Sequence, residues 1–540
     1  MSDNPYINKL DDGWEITPAG REYLSEVVTD PVGSVYAFTS KLSPVVVGSA
    51  MARVSRFSGD LRECLLSEFA DNEGRSEELI DRVVGAFGDD SVKQLVTLWI
   101  SCERVSNLAT KALEWPRLGS YLEQSTRYIP FDQKVDGRYK YHVPTELANS
   151  YWSGDWSKRD YCEAMDQIFS IYSRMVTKLV EHVRTRRPQG ELDRAIWLAS
   201  TRADALDRVR PVLPVATQST VAVVASVQTV ENLCYHLKSL DYNEAGNLSK
   251  AILTAARQVD GVDPYLTRVD MPHRGGKIVE YKHTNQSTLR NLAKELIGSY
   301  GPKEKNRRVS LIRYWPAHEA EIAADLAAEM LWSQTDVPLA ELQLMVRGLG
   351  DSAIDRIFTA YIGDRTSNRR LKPGRVLELV HTEWEIVGDY GTFRDLQRHR
   401  MVDSWEWQLL TPNYGYDVPE MIVEAGLEHD FRRCFELSER LHSLLLDHCG
   451  PVVAQYATLL GHRMRYRFAM NMREAFHMLE LRTGPDGHPG YRAICQEMHR
   501  RLGHVYPRLA AAMIHVGQRE DDTLGRLDKA ELEARRAKRT

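Results

Sequence analysis

The sequence predicts an α+β fold made of two tandem copies of one helix-rich domain, each carrying a small sheet. Three observations lead there: helical spacing over most of the chain, a few short runs with strand alternation, and one element order that recurs in both halves. The stretches "DLRECLLSEFA", "SEELIDRVVGAF", "CEAMDQIFSIYSRMVTKLVEHVRTR" and "HEAEIAADLAAEMLW" place apolar residues three and four apart, as one face of a helix requires. "KQLVTLWISCE" and "RVLELVHTEWEIV" alternate with β-branched and aromatic content, as half-buried strands do. The first half runs helix, strand-like run, Arg-rich turn, "YHVP" and then a long helix pair. The second half repeats the order, with "YDVP" after its own Arg-rich turn. Arg117 and Arg400 stand 283 residues apart in matching contexts, and His142-Val143-Pro144 matches Asp417-Val418-Pro419. A period this long is not that of a solenoid, so each half reads as a domain.

The expected division is an N-terminal extension over 1–44, a first domain over 45–258, a linker over 259–307, a second domain over 308–516 and a charged tail over 517–540. The linker assignment rests on the Pro, Gly and charge content of "DGVDPYLTRVDMPHRGGKIVEYKHTN". With 540 residues, 43% hydrophobic and 27% charged, the chain is globular and too long for one ordinary core. A formal charge of -5 argues against general attraction to nucleic acid. Seven cysteines with no C-x-x-C pair suit a reducing compartment and give no zinc signature. No run resembles a secretory leader or approaches the ~20 apolar residues of a membrane helix, so a cytoplasmic protein is expected.

The chemistry-bearing stretch is "FRDLQRHRMVDSWEWQLLTPNYGYD" at 393–417, where Arg398, His399 and Arg400 abut Met, Val, Trp and Leu. An exposed basic corner is the plain reading. The apolar flanks imply partial burial, and buried guanidiniums call for anionic partners such as a nucleotide pyrophosphate or a reduced flavin. The corresponding turn of the first half reads Trp115-Pro116-Arg117, followed by Glu123, Ser125 and Arg127 two residues apart. In an extended segment these three point the same way, and a hydroxyl with a guanidinium is a common phosphate grip; an ordinary polar strand edge is the alternative. "RYRFAMNMREAFHMLELR" is expected to be one helix, with Asn471 and Arg482 on a shared face and Arg473 beside them. Snorkelling arginines on a core helix would read the same way. There is no phosphate loop, no G-x-G-x-x-G after a strand, no H-E-x-x-H and no G-x-S-x-G. "HRGGK" at 273–277 is too short to be a phosphate loop.

Together these elements resemble the flavin-dependent thymidylate synthases. The family's Arg-His-Arg triplet is Arg398-His399-Arg400, and its Glu-x-Ser-x-Arg-Tyr segment is Glu123-Gln124-Ser125-Thr126-Arg127-Tyr128. Its Asn-x-Arg…Leu-Arg element is Asn471 through Arg482, with His488 beyond, and its Arg-x-x-Leu-Pro element is Arg210 through Pro214. The resemblance spans roughly 45–255 and 308–505 and implies a small antiparallel sheet in each copy. Neither copy is complete. The first has Trp115-Pro116 for Arg-His and lacks the helix arginines; the second reads Gln408-Leu409-Leu410-Thr411 where Ser-x-Arg-Tyr belongs.

By that resemblance the expected reaction moves a one-carbon unit from methylenetetrahydrofolate to C5 of deoxyuridylate, with FAD and NADPH supplying the hydride and no cysteine nucleophile. Arg482 is then the catalytic residue. Arg398, His399, Arg400, Glu406, Asn471, Arg473 and His488 would bind the flavin, and Glu123, Gln124, Ser125, Arg127 and Arg210 the substrate. No metal is implied. Family members are homotetramers, so a homodimer of tandem chains is expected to form a pseudo-tetramer, with phosphate residues from one copy and flavin residues from the other. Two alternatives stay open: flavin chemistry on another uracil nucleotide or a small carbon acid, and a non-catalytic flavin- or nucleotide-binding scaffold.

Overall fold

The computed structural model describes residues 4–11, 13–70, 91–148, 158–262, 267–298, 308–518 and 525–537. The chain divides into two compact units, residues 1–124 with 218–300 and residues 125–217 with 301–540. The middle of the first half, 125–217, therefore packs with the second half.

In the first unit, strands β1 (Ile7–Leu10) and β2 (Gly13–Ile16) form an antiparallel hairpin over a small core of Leu24, Val27, Cys64 and Leu65. The main sheet is antiparallel, with β3 (Thr97–Ser106), β4 (Gly119–Glu123) and β5 (Gln218–Ser226) in the order β3-β5-β4. Central β5 buries Ser219, Val221, Val223 and Ala225 on one face, the alternation a half-buried strand needs. Its last residue, Ser226, caps the helix Val227–Lys238 by accepting from the Thr229 amide. The predicted strand "KQLVTLWISCE" is shorter than expected at its start, because Ser91–Leu95 is helical. Within the expected linker, Lys277–Ile297 forms a helix that buries none of its residues. The predicted helix "SEELIDRVVGAF" lies outside the described residues.

The second unit repeats the same plan. Its antiparallel sheet holds β6 (Val309–Trp315), β7 (His381–Asp389), β8 (Ser404–Trp407) and β9 (Arg463–Asn471) in the order β6-β7-β9-β8. β7-β9-β8 matches β3-β5-β4, and β6 is an added edge. Here the structure corrects two expectations. "RVLELVHTEWEIV" is a strand only from His381, because Arg375–Leu379 is a 3₁₀ turn whose Val376 amide donates to the Tyr361 hydroxyl. "RYRFAMNMREAFHMLELR" is not one helix. Met464, Tyr466, Phe468 and Met470 alternate into the core as part of β9, and only Met472–Arg482 is helical. Asn471 is the N-cap between them, accepting from the Glu474 amide, so it shares no helix face with Arg482. The long helices Lys158–Arg186 and Glu428–Ala454, one from each half of the sequence, pack together in this unit. Among the described residues, no helix is long and apolar enough to cross a membrane.

Candidate functional site

The turn after the helix Arg194–Val209 belongs to the first half of the sequence, yet its backbone is sewn to the second. Val215 donates to the Thr458 carbonyl at 2.7 Å, Leu460 to Leu213 at 2.8 Å and Gly461 to Pro211 at 2.8 Å. The Leu460 carbonyl in turn accepts from Gly391, at the start of the helix Tyr390–Leu396. This ladder sets Arg210 beside that helix. A Cβ at Gly391 would press on Asp389 Oδ1 at 3.1 Å and touch the Arg210 Nη2 at 3.4 Å. Arg210 and Asp395 are both buried, with Nη1 and Nη2 at 3.5 and 3.4 Å from the carboxylate Oδ2.

Asp395 is also paired with Arg398 of the triplet, one helical turn later. Burial pushes the Asp395 carboxyl up, but Arg398, Arg210, Arg127 and Arg482 together hold it well below the usual carboxylate range. Arg127 grips Asp207 with two bonds, Nε–Oδ1 at 2.8 Å and Nη2–Oδ2 at 2.9 Å. Its Nη1 donates to the Tyr491 hydroxyl at 3.2 Å. The Tyr491 ring has the Arg127 guanidinium 5.9 Å from its centre and that of Arg482 at 5.4 Å. Four guanidiniums, two from each half of the sequence, thus gather around Asp207, Asp395 and Tyr491 inside one unit. The backbone ladder at Leu213 and Leu460 brings these residues of the two sequence halves together within one chain.

His399 lies buried behind this cluster. Its Nδ1 is 2.7 Å from Glu474 Oε1, and its Nε2 is 2.9 Å from Arg482 Nε. Burial, then the charges of Arg482 and Arg398, hold its pKa well below the ordinary value, so the ring is neutral. Burial pushes the Glu474 carboxyl up to about 7. His488 caps the helix Pro489–Val505, its Nδ1 accepting from the Gly490 amide at 3.1 Å; burial and Arg210 hold it neutral as well. Cys495, which feels the Arg482 charge, is buried with its thiol pushed up to about 12, so it offers no thiolate.

The other expected residues lie differently. Arg473 turns aside, its Nε donating to the Pro373 carbonyl at 3.0 Å and its Nη1 lying 3.6 Å from Glu378. Glu406, exposed on β8, stands across from Arg467. Arg400 is exposed. The common orientation expected of Glu123, Ser125 and Arg127 is not found, because β4 ends at Glu123 and the chain turns over 126–128, with the Arg127 amide on the Ser125 hydroxyl. Glu123 belongs with Gln124 to the first unit, where its carboxylate pairs with buried Lys111 at 3.2 Å. In that unit the triplet counterpart Trp115 stacks on His236, ring centres 4.4 Å apart. Asp207, Asp395, Glu474 and Tyr491 had not been expected. Only Asp395 left a local sign, three residues before Arg398 in the sequence.

A family model described as thymidylate synthase complementing protein matches this chain twice, over residues 42–260 and 310–508. The chain belongs to that family, as a tandem repeat of its domain. It is 31% identical over 528 residues to a UPF0159 protein of Chlamydia muridarum, covering 94% of this chain and 96% of that protein. A UPF0159 protein of Thermoplasma acidophilum is 30% identical over 506 residues, covering 89% and 97%. Among solved structures, a UMP/dUMP methylase PolB from Streptomyces cacaoi bound with 5-Br dUMP is 14% identical, covering 39% of this chain and 96% of that one. Its TM-score against this chain is 0.30.

Proposed function

We propose that the chain is a flavin-dependent thymidylate synthase-like enzyme that methylates deoxyuridylate at C5, using methylenetetrahydrofolate as the one-carbon donor and NADPH as the reductant. The reading rests on one observation above all. Arg127 and Arg210 of the first copy meet Arg398, His399 and Arg482 of the second within one compact unit of a tandem family member.

The donor set beside the triplet fits a flavin nucleotide. Arg398 and Arg400 present guanidiniums at the surface for a pyrophosphate, and Met401, 63% exposed, offers apolar area to a flat ring system. Bound there, FAD would supply the hydride. Arg398 and Arg400 would hold it, while the ring nitrogens of buried His399 are engaged by Glu474 and Arg482 and His488 lies among Arg210, Asp207 and Arg127.

Ser125, Arg127 and Arg210 would hold the nucleotide phosphate. Glu123 leaves this set, since its carboxylate is committed to Lys111 and would repel an anion. Arg482 would place its η-nitrogens against a uracil carbonyl and stabilise the negative charge that makes C5 nucleophilic, an effect of about 3 kcal/mol for one preorganised donor. In the first copy Trp115 stands at the position of Arg398 and stacks on His236, and Pro116 replaces His399, so one working site per chain is expected. A homodimer closing four domain copies into a pseudo-tetramer completes the proposal.

Tritium release from C5-labelled deoxyuridylate, with methylenetetrahydrofolate and NADPH present, tests the reading. Release that depends on all three supports it. No release from flavin-loaded protein rejects it.

A further inference from the structure

Arg482 does not stand alone behind the pyrimidine-facing position assigned to it. Its Nε, which always carries a hydrogen, lies 2.9 Å from His399 Nε2, so that nitrogen must accept. A neutral imidazole then carries its one proton on Nδ1, which faces Glu474 Oε1 at 2.7 Å. The chain Glu474–His399–Arg482 has one donor at each link, and Glu474 and His399 are both buried.

The duplicated architecture gives an independent view. Pro116 occupies the triplet position of His399. Counting from the helix caps Ser226 and Asn471, Thr229 stands where Glu474 does and Leu237 where Arg482 does. The first copy has lost all three members together.

We propose that Glu474 is a positioning residue for the transfer reaction: by accepting a hydrogen bond from His399 Nδ1–H it fixes the tautomer whose Nε2 receives Arg482, and so sets the plane in which that guanidinium meets the pyrimidine. The proposal rests on the thymidylate synthase-like reading for Arg482, whereas the tautomer itself does not. Charged and titratable groups facing Glu474 are His399, His477, Lys372, Arg473 and Arg482; those facing His399 are Glu474, Arg482, Arg398, Lys372 and His477. His477 completes a trio of donor types that could suit a cation, but both His399 nitrogens are already engaged and Arg482 lies against one of them. Burial places the Glu474 carboxyl at about 7. Below that pH it gains a proton and can donate to Nδ1, which would turn an N–H of His399 toward the N–H of Arg482.

The test uses the full chain with ¹⁵N-labelled histidine, the His399 signals being assigned by their loss in His399→Gln. At pH 8 the wild type should show a neutral ring protonated on Nδ1. Glu474→Met should lose that single tautomer and lower kcat for tritium release by about tenfold or more, with KM for deoxyuridylate within about threefold. Glu474→Gln, whose amide oxygen still accepts, should restore the tautomer and remove the acid limb near pH 7 from the rate profile. An Nε2-protonated or cationic His399 in the wild type overturns the proposal, as does a Glu474→Met protein with unchanged kcat. Absence of tritium release by the wild type instead rejects the reaction reading, and the tautomer measurement keeps the two failures apart.

Discussion

Replacing Asp395 by asparagine removes the carboxylate that Arg210 hydrogen-bonds, although Asp389 also lies near its charge. Both side chains are only 4% exposed, so Arg210 is closed off from water, whereas Arg398 at 42% exposure can turn outward. Orphaning one member of a buried ion pair costs about 3–5 kcal/mol. The Arg210 contacts, at 3.4 and 3.5 Å to a single oxygen, are long and place the expectation near the lower figure. Freed Arg398 adds about 1 kcal/mol at most, as surface pairs do. Urea denaturation of wild type, Asp395→Asn, Arg210→Met and the double variant measures the coupling directly. The double variant should cost less than the two single changes together by about 2 kcal/mol, because removing both partners leaves no orphaned charge. The pH sign follows from the depressed Asp395 carboxyl. Its contribution is complete above the unfolded value, about 3.9, and is lost only as pH falls through the lower folded value. The difference between wild type and Asp395→Asn should therefore be flat from pH 5 to pH 8. Additive changes, or a cost below about 1 kcal/mol for Asp395→Asn, would refute the argument.

Three further outcomes are expected. Arg398→Ala and Arg400→Ala should each lower flavin content on purification, by a partner worth about 1.5–3 kcal/mol, while Arg117→Ala should matter less; absorbance against protein concentration shows whether the three differ. Arg127→Ala should weaken deoxyuridylate binding by roughly 10- to 100-fold in calorimetry, with flavin content near normal. Glu474→Gln should raise stability at alkaline pH: a carboxyl raised from 4.5 to about 7 favours the fold fully below 4.5 and loses that contribution as pH rises through about 7. The gain above pH 8 is at most about 3 kcal/mol and should vanish near pH 4; thermal unfolding at the two pH values reads it.

What the sequence disclosed follows from what is local in it. The Arg-His-Arg triplet is contiguous and the helix motif stands in one run, so both could be read along the chain. The repeat was legible because element order and turn chemistry recur. The strand Arg463–Asn471 satisfies helical spacing as well, through its Arg, Phe and Met, and only the alternation of Met464, Tyr466, Phe468 and Met470 distinguishes it. Asp207 lies 80 residues from the Arg127 it grips, and Glu474 lies 75 from His399, so neither pair has a local signature. The joining of Arg210 to Asp395 depends on the backbone ladder between 211–215 and 458–461, which no pattern within either segment announces.

The central claim is one composite site per chain, with flavin residues from the second copy and phosphate residues from the first. The ratio of bound flavin to chain in fully reconstituted protein, from absorbance at about 450 nm and quantitative amino-acid analysis, tests it most directly. The account predicts one flavin per chain. Two per chain would mean that the copy carrying Trp115 and Pro116 still binds cofactor, which contradicts the division of labour; none would contradict the flavin-dependent reading itself.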